Sequence, residues 1–92
     1  MAVLATITQQ PGDIRDYDID FSEWFPVGDT VIGATLSVLP LGLTAGYALQ
    51  GMRVKVWLSH GVVGQTYKVT ITASTSDGRA KETELRVKIK DF

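Results

Sequence analysis

The fold class that the sequence predicts is all-β, an immunoglobulin-like antiparallel β-sandwich of about seven strands, with one short helical turn near residues 21–25. Three observations carry that prediction. Apolar and polar residues alternate at period two in several segments, turn signals recur roughly every 8–12 residues, and no segment sustains a helical period. A chain of 92 residues hides only about 60–65% of its unfolded-state surface on folding, which suffices for one core and predicts a single domain over 1–92. A small closed β-barrel is the competing topology.

The elements follow in chain order. Val3 to Thr8 is a candidate first strand. In Asp16-Tyr17-Asp18-Ile19-Asp20-Phe21, three carboxylates alternate with apolar side chains before a turn capped by Ser22 or Asp20 and stopped by Pro26. From Asp29 to Val38 the chain is rich in β-branched residues, with Ile32, Ala34, Leu36 and Val38 in phase, and Pro40-Leu41-Gly42 ends the run. A short strand is expected between Gly46 and Gly51. Val54, Val56 and Leu58 then share one face, with Lys55 and Trp57 on the other. Ser59 to Gly64 reads as a loop. The clearest strand runs from Gln65 to Thr75, where Tyr67, Val69, Ile71 and Ala73 alternate with Lys68, Thr70, Thr72 and Ser74. Ser76-Asp77-Gly78-Arg79 supplies a hairpin turn, after which Leu85, Val87 and Ile89 resume the alternation against Arg86, Lys88 and Lys90.

Composition removes several function classes. With no cysteine, neither a disulfide framework nor a thiolate metal cluster is available, which suits folding in a reducing cytoplasm. The chain shows no apolar run of about 20 residues and no basic start of the signal-peptide kind, so neither membrane insertion nor export by that route is expected. The net charge of −1 gives no overall field to concentrate on nucleic acid and leaves only local patches for it. The distribution is polar, however: residues 1–30 sum to −5 and residues 31–92 to +4, a pattern that can pair elements within a chain or orient neighbouring chains.

Candidate functional residues are few. On a strand, Asp16, Asp18 and Asp20 share one face about 6.6 Å apart, so their repulsion calls for relief. Relief could come from solvent, from a basic partner stripe such as Arg86, Lys88 and Lys90 of a neighbour, or from a calcium ion. The glycine that calcium loops use is missing here. Trp24 is expected to plug one end of the sandwich, and Trp57 is either core or an exposed anchor. His60 follows Ser59, but neighbours in an extended segment face opposite ways and make no nucleophile and base pair. Arg79 sits at a hairpin tip. Lys81, Arg86, Lys88 and Lys90 along the last strand could bind nucleic acid, but no aromatic platform interleaves with them, and guarding a sheet edge explains them equally well. No metal-binding, phosphate-cradling or catalytic motif is present, so no enzymatic activity and no cofactor are expected.

The segments 16–24 (Asp-Tyr-Asp-Ile-Asp-Phe-Ser-Glu-Trp), 28–32 (Gly-Asp-Thr-Val-Ile), 56–61 (Val-Trp-Leu-Ser-His-Gly), 64–70 (Gly-Gln-Thr-Tyr-Lys-Val-Thr) and 75–79 (Thr-Ser-Asp-Gly-Arg) together resemble a family of small structural proteins of tailed bacteriophages. Its members are described as fibre-to-tail adaptors or head and neck components with immunoglobulin-like folds. His60 stands where the family pattern leads one to expect glycine. The resemblance implies assembly rather than turnover, with no active residues to carry over. It further implies a virion component made in the host cytoplasm, present in several copies in a symmetric assembly, and contacting tail fibre, neck or capsid proteins. The residues expected to meet partners are Asp16, Asp18, Asp20, Trp24, Trp57, His60, Arg79 and Arg86. A capsid decoration protein, a carbohydrate or host-surface binding module and a small hydrolase are the alternatives.

Overall fold

The computed structural model describes residues 3–91. Met1 and Ala2, where the expected absence of a signal peptide begins, and Phe92, the end of the expected 1–92 domain, lie outside the described residues. Seven strands follow one another: β1 (Val3–Gln9), β2 (Ile14–Asp20), β3 (Val31–Leu39), β4 (Leu43–Gln50), β5 (Arg53–His60), β6 (Thr66–Thr75) and β7 (Ala80–Ile89). They form a four-stranded sheet ordered β1-β7-β6-β3 and a three-stranded sheet ordered β2-β5-β4. This is the immunoglobulin-like arrangement, in which the chain crosses between layers after β1, β2, β3 and β5.

Alternation places the core. Val54, Val56 and Leu58 of β5 face Tyr67, Val69 and Ile71 of β6 and Leu85, Val87 and Ile89 of β7, and each is at least nine-tenths buried. Phe21 and Phe25 close one end of the sandwich; their rings stack with centroids 6.2 Å apart. Burial of this apolar surface is the main force that holds a disulfide-free sandwich together.

Three expectations need correction. The sheets are not wholly antiparallel, because β1 pairs parallel with β7. The last strand is therefore interior rather than an edge, and its basic residues do not guard one; Arg86 and Lys88 project from the outer sheet face. The segment near residues 21–25 makes one turn, with Trp24 N–H donating to the Phe21 carbonyl at 3.0 Å, and Pro26 stops it before a helix forms. Its Asp20 cap is as expected, since the carboxylate accepts from Ser22 N–H at 2.9 Å.

Candidate docking surfaces

The outer face of β2-β5-β4 is laid out by its register. Asp16 lies opposite Trp57, Asp18 opposite Lys55 and Asp20 opposite Arg53, while Gly46 flanks Trp57 on the other side. Lys55 Nζ stands 3.3 Å from Asp16 and 4.0 Å from Asp18, so relief of the carboxylate repulsion comes from within the chain. Cross-strand pairing of opposite charges does here what an external cation would otherwise do. Among the described residues, no three His, Cys, Asp or Glu side chains converge as metal ligands. Trp57 is not core: it is 43% exposed, and the absence of a side chain at Gly46 leaves one flank of the indole open.

At the turn end of the molecule, Trp24 meets Phe21 edge-on at 5.2 Å and carries Lys81 Nζ 5.2 Å over its ring. It remains 40% exposed. The plug at this end is formed by the buried Phe21 and Phe25 rather than by Trp24, which packs half-open against the Phe21 edge. Beside them a cleft of about 240 Å³ is lined by Phe25, Pro26, Val27, Met52 and the Asp29 residue.

Asp29 has no spare capacity for chemistry. Its Oδ1 accepts from Thr30 N–H, Ser76 Oγ–H and Asp77 N–H, and its Oδ2 pairs with Arg79 at 3.2 Å. Burial alone pushes this carboxyl up, but the bonds from Thr75, Asp77, Ser76 and Thr30 outweigh it and hold the pKa at about 2. Arg79, expected at a hairpin tip, is therefore tied to the β2–β3 loop. Arg86 is also committed within the chain: its Nε donates to Glu84 at 3.1 Å, and Lys68 approaches the same carboxylate at 3.6 Å. The Arg86 bond, working against burial, holds Glu84 below the ordinary carboxylate range, with Lys68 assisting.

At the opposite end, His60 overturns one expectation. Its φ of 66° lies in the left-handed region, which turns its Nδ1 to within 3.0 Å of Ser59 Oγ. The two side chains do meet because the segment is not extended at this point. The same φ explains why glycine is expected at this position. Both side chains lie at an open strand end, and among the described residues no carboxylate orients the second ring nitrogen, as a nucleophile and base pair would need. Just beyond, Tyr67 Oη accepts from Val62 N–H at 2.9 Å, the tyrosine corner of immunoglobulin-like folds. Gly42 lies against that hydroxyl so closely that a Cβ would sit 2.9 Å from it. Sequence reading missed this corner, although Tyr67 opens the clearest alternating run in the chain. It also missed Gln9, which is buried and spans the two sheets by donating to the Leu58 carbonyl at 3.3 Å and accepting from Tyr17 Oη at 3.0 Å.

Polar chemistry is thus spent on holding loops and sheets, and what faces outward is a tryptophan-bearing sheet face and apolar loop ends. A search of curated proteins finds no match. The profile of the family described as "Podophage GP4 fiber-tail adaptor protein gp77" matches residues 9–88, a span that holds β2 to β6 entire and β7 up to its last residue. An outward-working sandwich and a match over most of its length lead to one conclusion: the chain belongs to this family of podophage fibre-tail adaptors, structural proteins that join tail fibres to the particle.

Proposed function

We propose that the chain holds a fibre protein to the tail through the outer face of β2-β5-β4, with Trp57 as the anchor and Asp16 and Asp18 as the charged rim. The observation that carries this reading is the position of Trp57, a large aromatic left open on a flat sheet face beside a glycine, where it has no role in the core. Buried tryptophans dominate the energetics of many interfaces, and flanking charges set orientation and association rate. Asp20 and Trp24 extend the contact to the turn end, and His60 to the opposite end. Arg79 and Arg86 keep about half of their side chains exposed while paired and offer their remaining N–H groups. The chain is made in the host cytoplasm, enters the virion in several copies, and needs no membrane, nucleic acid, cofactor or catalytic step.

Binding to the purified fibre and tail proteins of the same particle tests this reading. Trp57→Ala should weaken one of the two complexes at least tenfold, about 1.4 kcal/mol or more. The double reversal Asp16→Lys/Asp18→Lys should slow association and reduce incorporation into particles. Unchanged affinity and unchanged incorporation for both variants would remove this face from the interface. The same exposed indole favours glycan binding as a second reading, which predicts Trp57-dependent retention of the isolated protein on a glycan surface.

A further inference from the structure

From Thr30 to Met52 the chain carries no Asp, Glu, Lys, Arg or His, twenty-three consecutive residues in a sequence whose charged fraction is 21%. The fold gathers this segment on one side. It contains β3, an edge of the four-stranded sheet, and β4, an edge of the three-stranded sheet, and the two edges touch. Large apolar side chains remain open along it: Ile32, Leu39, Leu41, Tyr47 and Leu49 are each more than a third exposed. The opposite side is built differently. There the edges are β1 of one sheet and β2 of the other, and β2 carries Arg15, Asp16, Asp18 and Asp20.

An edge strand presents unpaired N–H and C=O groups, which another strand can satisfy. Soluble proteins normally guard such edges with charge, proline or a bulge. β3 has a bulge only at its start, between Val31 and Gly33, and Pro40 only beyond its end, so Ala34 to Leu39 is unguarded. We propose that this side binds a second copy of the same chain, with β3 pairing antiparallel to its counterpart about a two-fold axis at Thr35.

The register is self-complementary. Thr35 meets Thr35 of the other copy, Ser37 meets Gly33, and on the inner side Leu36 meets Ala34, a large residue against a small one. No charge is brought against its like. The two-fold carries β4 alongside its counterpart and covers Tyr47 and Leu49, giving a continuous eight-stranded sheet over a second layer. A two-fold on the other side would set the carboxylates of β2 against those of the second copy, a repulsive arrangement. A charge-free surface also fits a copy of itself better than a charged partner, because interface centres are depleted in charge. This inference is independent of which phage proteins the adaptor joins.

Light scattering on the full chain tests it. At about 100 μM the protein should have twice the 10.0 kDa chain mass. Thr35→Lys, at an exposed position on the outer face of β3, should return it to the monomer mass with circular dichroism and melting intact, raising the dissociation constant at least tenfold. Thr6→Lys, on the far edge, should leave the dimer unchanged. Amide exchange at Ala34 to Val38 should slow as concentration rises. A monomer at all concentrations would overturn the proposal, as would a dimer indifferent to Thr35→Lys. A dimer broken by Thr6→Lys would also overturn it, since that outcome places the β1 edge in the interface.

Discussion

At the scale of single residues, a few polar groups join segments distant in sequence. Asp29 binds Ser76, Asp77 and Arg79, which lie 47 to 50 positions away, so no local pattern reveals the pairing. Its folded pKa of about 2 lies below the unfolded value near 3.9. The stability it contributes is therefore complete above the unfolded value and is lost as pH falls through the folded one. Melting temperature should fall as pH drops from about 4 to 2, and Asp29→Asn should flatten that fall while lowering stability at neutral pH. Tyr67→Phe leaves Val62 N–H without its partner and should cost about 1–2 kcal/mol in urea unfolding. His60→Gly removes a side chain from a left-handed position and should raise stability by up to about 1 kcal/mol in the same measurement. The glycine expected there from the family pattern was legible in the sequence, whereas the Ser59 contact was not, because it depends on the very backbone angle that breaks the extended run.

At the scale of elements, period-two alternation located β2, β3, β5, β6 and β7 because each shows one face to the core and one to solvent. β4 and β1 were weaker signals for a physical reason. β4 is an edge whose inward Tyr47 and Leu49 are themselves half open, and β1 joins by parallel pairing, which no hairpin turn announces. Missing that pairing made β7 look like an edge. Ile71 sits in the middle of β6 with no exposure, and Ile71→Ala should cost about 2–5 kcal/mol of unfolding free energy. At Gly61 a Cβ would fall 2.8 Å from Ile89 Cγ1, and φ is +97°. Gly61→Ala should therefore destabilise the β5–β6 connection and lower the melting temperature, whereas Gly64→Ala has open space and should pay for its backbone angle alone.

At the scale of the molecule, the sandwich is a rod of 44 × 23 × 19 Å whose interior is closed and whose surfaces differ in chemistry: an acid-rimmed tryptophan face, a charge-free side and apolar ends. The layered architecture was legible because it is dictated by alternation summed over many residues. The charge pairing was not, because sequence shows which charges exist but not which are already paired. Lys55 answers Asp16 and Asp18, and Glu84 holds Lys68 and Arg86, so much of the polarity between the first third and the remainder is consumed internally. In the proposed function this exterior fastens a fibre to the tail. A reconstruction of the intact particle tests that directly: the account predicts the sandwich lodged between fibre base and tail with Trp57 covered by a neighbouring polypeptide, and a particle whose fibres meet the tail without this chain between them would contradict it.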